Sequence, residues 1–203
     1  MKNTIIFDNN VVFKRGETLT FFLNESLDFN VENKTFSTQT LEKNQLYFKN
    51  LIFKKNNEKV ISFDISENNK ALFIIVKEKL PPNDFEKIGA NFFSYVKINK
   101  ISKISFYSDT LELINSYKKN INLTVNFIHG FNLKSYSFDK YKTKNKNDYS
   151  FSLKTISSEK NLLNKNYFKY KAIEAGVFQT RDLVSEPPNI LFPKKYVEII
   201  KKL

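Results

Sequence analysis

Ala71-Leu72-Phe73-Ile74-Ile75-Val76 is an unbroken apolar run of strand length. Neither parity of this run carries a polar residue, so both faces of the strand must be covered, which places it inside a sheet flanked by helices. Towards the N-terminus, residues 60–65, 46–53, 18–23, 11–13 and 4–7 are short and rich in β-branched and aromatic side chains, and Asn or Gly turn signals separate them. Residues 24–44 are polar and without period, and read as a loop. Towards the C-terminus, Pro81-Pro82-Asn83 opens a segment with Phe85, Ile88, Phe92 and Val96 at helical spacing, and Glu86 stands in capping-box position to Asn83. Residues 103–107 alternate as a strand, and Asp109 with Glu112 repeats the capping signal before a short helix ending near Lys119. A helix is expected over Ile121 to Tyr136, a strand over Tyr149 to Ile156, and a long helix through Leu163, Tyr170, Ile173 and Val177. Strands alternating with helices imply an α/β sandwich around a central sheet, and the early cluster of strands argues for a mixed rather than a purely parallel one.

The 203 residues suffice for one well-buried core, or for one domain plus the start of another. A hydrophobic share of 41% and an aromatic share of 15% exclude intrinsic disorder, which needs too little apolar surface to offset chain entropy. No apolar run approaches the length of a membrane span, and Met1-Lys2-Asn3-Thr4 leads into a strand rather than a signal peptide, so a cytoplasmic location is expected. The chain has no cysteine, hence no disulfide, thiolate nucleophile or sulfur ligand. The net charge of +12 fits a polyanion partner, but the lysines are spread along the whole chain instead of concentrated on one face, which favours a solvated surface.

The inventory of reactive groups is thin. His129, the one histidine, rules out a multi-histidine metal site and lies in a helical segment without a local orienting group, as a packed or surface histidine would. The four glycines are isolated, which excludes a phosphate-cradling loop. Glu174, Asp182 and Glu186 read as solvated helix-face and cap residues as readily as paired acids. Tyr136, Phe138, Lys140 and Tyr141 interleave rings with cations as a single-strand platform does, but core anchors beside snorkelling lysines account for them more simply.

The informative stretch is Gly176-Val-Phe-Gln-Thr-Arg181-Asp182-Leu183-Val184-Ser185-Glu186-Pro187-Pro188-Asn189-Ile-Leu191-Phe192-Pro193. A helix through Val177 and Leu183 must stop at the double proline, because the first proline disfavours helical geometry at Glu186 and neither ring nitrogen donates. Pro193 suits the first turn of a new helix with Tyr196, Val197 and Ile200 as its apolar stripe. This stretch resembles the segment joining the N-terminal and catalytic domains of leucyl (cytosol) aminopeptidases. A second match, Gly130-Phe-Asn-Leu133-Lys-Ser-Tyr136-Ser-Phe138-Asp139-Lys140-Tyr141-Lys142-Thr143-Lys144, is similar to the segment ending a helix of that family's N-terminal domain, and Pro82 to Lys100 with Ile88-Gly89-Ala90 resembles the helix after its central strand. Ser185 stands where the family has Asn, Phe192 where it has a small polar cap, and Lys77 and Glu78 where glycines are common, which marks a divergent member.

The resemblance implies a macro-domain-like three-layer sandwich over residues 1–157, an interdomain helix over 158–186 and the start of a truncated catalytic domain over 187–203. It also implies a homohexameric enzyme with two divalent metals, zinc or manganese, held by a lysine and acidic residues in motifs such as Asn-Thr-Asp-Ala-Glu-Gly-Arg. That motif does not occur in residues 1–203, so no catalytic, cofactor-binding or metal residue is assigned here, and peptide substrate is expected only at the missing domain. A nucleic-acid-binding module using the basic surface is the alternative, and ADP-ribose binding is disfavoured by the missing glycine-rich loop.

Overall fold

The computed structural model describes residues 3–9, 14–24, 60–77, 79–111, 114, 121–144 and 149–201. Strands β1 (Thr4–Asp8), β2 (Thr18–Asn24), β3 (Val60–Ser66), β4 (Asn69–Val76), β5 (Lys103–Tyr107) and β6 (Ser152–Ile156) form one sheet in the order β1-β6-β5-β2-β4-β3. Neighbours run parallel except for β3 with β4, so the sheet is mixed, as the pattern required. Among the described residues the helices are α1 (Pro82–Ile98), α2 (Ile121–Lys134), α3 (Lys160–Ser185) and α4 (Pro193–Ile200), with a 3-10 turn at Ser108–Leu111. The expected strands at 11–13 and 46–53, the loop at 24–44 and the short helix after Glu112 lie outside the described residues.

The decisive run is β4, and it is covered on both faces: Ala71, Leu72, Phe73, Ile74 and Val76 are all buried. It lies one place in from the edge, while β2 takes the middle between β5 and β4. Strand alternation divides the core in two. Phe22, Leu72, Ile74, Ile104, Phe106 and Leu153 face α1, α2 and α3, whereas Leu19, Phe21, Ile61, Ala71, Phe73 and Tyr107 form a second cluster on the opposite face. The layer expected over that second face lies outside the described residues. Phe22 anchors the first cluster, with its ring edge-on to Phe85, Phe106 and Phe127 at centroid distances of 6.2, 5.2 and 5.1 Å.

Helix α1 does not begin with a capping box. Pro81 is the extended N-cap and makes no side-chain cap bond, and Pro82 occupies the first helical position, where its missing N–H costs nothing. Asn83 therefore lies inside the first turn. The start is set by ring geometry rather than by a side-chain acceptor, with Asp84 adding a carboxylate at the positive helix end. Asp109 has partners of its own, while the helix it was expected to cap lies outside the described residues. Its carboxylate accepts from Ser157 Oγ and from the Ser158 N–H, both at 2.8 Å, and so ties the ends of β5 and β6 together.

Helices α1 and α2 cross where two glycines meet opposing backbone. A Cβ at Gly89 would lie 1.9 Å from the Phe127 carbonyl oxygen, and one at Gly130 would lie 1.9 Å from the Glu86 carbonyl oxygen. Each glycine thus admits the other helix, and the close approach lets Phe92 and Phe93 reach Phe131 at 5.8 and 5.2 Å.

Candidate functional site at the α2–α3 seam

Helix α3 lies against α2 and carries one carboxylate into the interior: Glu174 is 2% exposed. Its Oε1 meets His129 Nδ1 at 2.8 Å, while Oε2 accepts from Asn132 Nδ2 at 2.6 Å and from the Tyr167 hydroxyl at 2.8 Å. His129 and Asn132 are three residues apart on α2, and Tyr167 and Glu174 are seven apart on α3, so helical periodicity brings all four to one face. Burial, together with the adjacent Glu174 carboxylate, pushes the Tyr167 hydroxyl well above its ordinary value, so it acts as a permanent donor.

Two sequence expectations are corrected here. Glu174 is not a solvated helix-face residue, and His129 does have a partner. The signal was present in the spacing of Leu163, Tyr167 and Glu174, which share one side of α3, but a charged residue on such a stripe is read as surface until its donors are known.

Chemically the cluster is closed. Both Glu174 oxygens are committed to donors, and the His129 ring is 6% exposed and packed edge-on to Tyr170 at 4.8 Å. A general base needs a substrate proton within reach, and this pair offers none an approach. Nor do the residues fit a metal: among the described residues no three His, Cys, Asp or Glu side chains converge.

Further along the seam, the two stretches singled out in the sequence are in contact. The rings of Tyr136 and Phe178 stack at 5.6 Å, and the Tyr136 hydroxyl donates to Asp182 at 2.9 Å. Arg181 donates to the Leu133 carbonyl at 2.7 Å, with its guanidinium carbon 5.5 Å from the Tyr136 ring centre. Lys140 and the Tyr141 hydroxyl both donate to Glu186. These bonds hold the Glu186 carboxyl below its ordinary value. Their support is therefore complete above the ordinary carboxylate range and fades as pH falls through the lowered value. The exposed Asp182 and the half-buried Glu186 thus anchor segment 136–141 on α3, and the rings that resembled a base-stacking platform are used within the fold. Removing Arg181 as R181A should speed amide exchange across 176–192 while lowering global stability by no more than about 1 kcal/mol, because its contacts are solvent-exposed; an unchanged exchange pattern would contradict this role.

Beyond the seam Glu186 is extended, as a residue before proline must be, and the Ile190 and Leu191 N–H groups turn back to the Pro187 carbonyl. Phe192 is an extended N-cap without a side-chain bond, Pro193 sits in the first turn, and α4 buries none of its residues. Its stripe of Tyr196, Val197 and Ile200 is 46%, 50% and 43% exposed.

No family model matches the chain. Among curated proteins it is 33% identical over 128 residues to a probable cytosol aminopeptidase of Phytoplasma australiense, covering 63% of this chain and 25% of that protein. A probable cytosol aminopeptidase of Phytoplasma mali is 30% identical over 183 residues, covering 84% of this chain and 36% of that one. Among solved structures a mutant tomato leucine aminopeptidase superimposes with a TM-score of 0.72 at 17% identity, over 99% of this chain and 42% of its own, which shows the shared fold. The chain spans about a quarter to a third of the length of these curated relatives. By sequence and by fold, then, the chain is a homologue of the cytosol aminopeptidases and matches part of their length.

Proposed function

We propose that this domain serves a metal-dependent leucyl aminopeptidase, a cytoplasmic hexamer that removes N-terminal amino acids from peptides, and that it organises subunit contacts without contributing to the chemistry. The observation that carries this reading is the similarity to cytosol aminopeptidases over only 25% to 36% of their length. In the whole protein two divalent metals, zinc or manganese, would belong to the catalytic domain. The residues of this chain contribute fold and contact: residues 1–157 form the sandwich, 158–186 the interdomain helix, and 187–203 the entry into the catalytic domain.

The double proline supports that division. Upstream of it α3 is anchored through Leu163, Tyr167 and Glu174, whereas downstream α4 has no buried side chain and presents an apolar stripe. Among the described residues no helix is long and apolar enough to cross a membrane.

The test is turnover. Residues 1–203, purified and folded, should release no p-nitroaniline from leucine-p-nitroanilide with manganese added, above a protein-free blank. Sustained, manganese-dependent release by these residues alone would refute the proposal.

A further inference from the structure

A groove of about 730 Å³ runs between α1 and α2, distinct from the closed cluster at Glu174. Its apolar floor includes Ala90, Phe93 and Leu133, and among the described residues its rim carries Lys87, Lys97, Lys134 and Arg181 against one carboxylate, Glu86. Lys87 is held at 2.9 Å by Asp84, and Arg181 is fixed by the Leu133 carbonyl, while Lys97 and Lys134 stand exposed on opposite walls. At one end Ile98, a large apolar side chain, is 79% exposed.

The lining residues on α1 recur at positions 86, 87, 90, 93, 94, 97 and 98, which is one face of a helix. At 1.5 Å per residue that face is about 18 Å long, enough to seat some three turns of a partner helix. An apolar floor between cationic walls matches a helix whose own apolar stripe is bordered by acids, the arrangement of helix-in-groove recognition. A second copy presenting this same groove is a poor occupant, because the two cationic rims would face each other, whatever contacts subunits make elsewhere. A nucleic-acid backbone would use the rim and leave the floor, with Ile98, exposed to water.

We infer that this groove binds an acidic amphipathic helical peptide segment of a partner protein. Lys97 and Lys134 supply steering and selectivity for its carboxylates, and Phe93, Leu133 and Ile98 take its apolar anchors.

The probe is a fluorescein-labelled peptide of alternating Glu-Glu and Leu-Leu pairs, which places leucines along one helical stripe. It is titrated by fluorescence anisotropy against the 203-residue chain, beside a Lys-Lys/Leu-Leu version and a duplex DNA. Saturable binding of the acidic peptide is expected, weakened about tenfold or more by the double variant K97E/K134E and also by I98D, with little binding of the basic peptide. All three substitutions are at exposed positions, so circular dichroism should be unchanged and the thermal midpoint should fall only slightly, through the cations lost from the last turns of α1 and α2. The inference fails if the acidic peptide does not saturate, if the double variant binds it equally well, or if duplex DNA binds more tightly and that binding is lost in the same double variant.

Discussion

Gly130→Ala should lower the thermal midpoint by about 6–12 °C, and Gly89→Ala by a similar amount. Each added methyl would lie 1.9 Å from a carbonyl oxygen of the opposing helix, far inside van der Waals contact, and a backbone oxygen cannot rotate away as a side chain can. Relief requires α1 and α2 to move apart, which opens the packing of Phe92, Phe93, Phe127 and Phe131. Overpacking costs about 1–3 kcal/mol where side chains can adjust, so a backbone clash belongs at or above the top of that range. For a chain of this length each kcal/mol moves the midpoint by about 2–4 °C. Gly176→Ala is the internal control. Nothing lies within 4 Å of its added methyl, and the helix-propensity gain of about 1 kcal/mol should raise the midpoint instead. Equal effects at all three glycines would remove the crossing as the explanation.

Glu174→Ala is expected to cost about 3–5 kcal/mol, measured as a fall in the urea midpoint at constant slope. The lost contacts are the smaller part. His129 and Tyr167 would remain buried with donors that lose their acceptor, half-buried Asn132 would lose one as well, and an orphaned buried donor costs more than its bond contributed. Glu174→Gln keeps the shape and one acceptor but turns an amide N–H₂ towards donors, so it should fall between wild type and alanine. A loss below about 1 kcal/mol for alanine would mean that solvent enters the site and that the cluster does not set the position of α3.

Much of the sheet was legible in the sequence because its evidence is local. Residues 71–76 are apolar at every position and could only be a strand covered on both sides, and Phe85, Phe92 and Val96 repeat at a helical period that nothing else explains. The double proline likewise forces its own break. The α2–α3 seam was opaque for the converse reason: Glu174 and His129 are 45 residues apart, and neither residue type declares a buried partner in one dimension. The bonds of Asp109 to Ser157 and Ser158 were hidden in the same way, since both donors arrive from a distant strand end. The glycine crossing lies between these cases. Gly89 and Gly130 were visible as isolated glycines inside helical patterns, but only their mutual placement shows why each must lack a side chain.

The order of strands also bears on how the protein is made. Among the described strands β1, the first in chain order, pairs with β6, the last, and a bond from the Phe151 N–H to the Asn3 side chain closes a sequence separation of 148 residues. Contacts so distant along the chain form late, because the entropy of closing the loop must be met before any pairing repays it. During synthesis Ile5 and Phe7, which complete the core beneath α3, have no docking edge until residue 156 has emerged. Strand β1 therefore waits without a partner strand until β6 has been made, and a chaperone would protect it best in that interval.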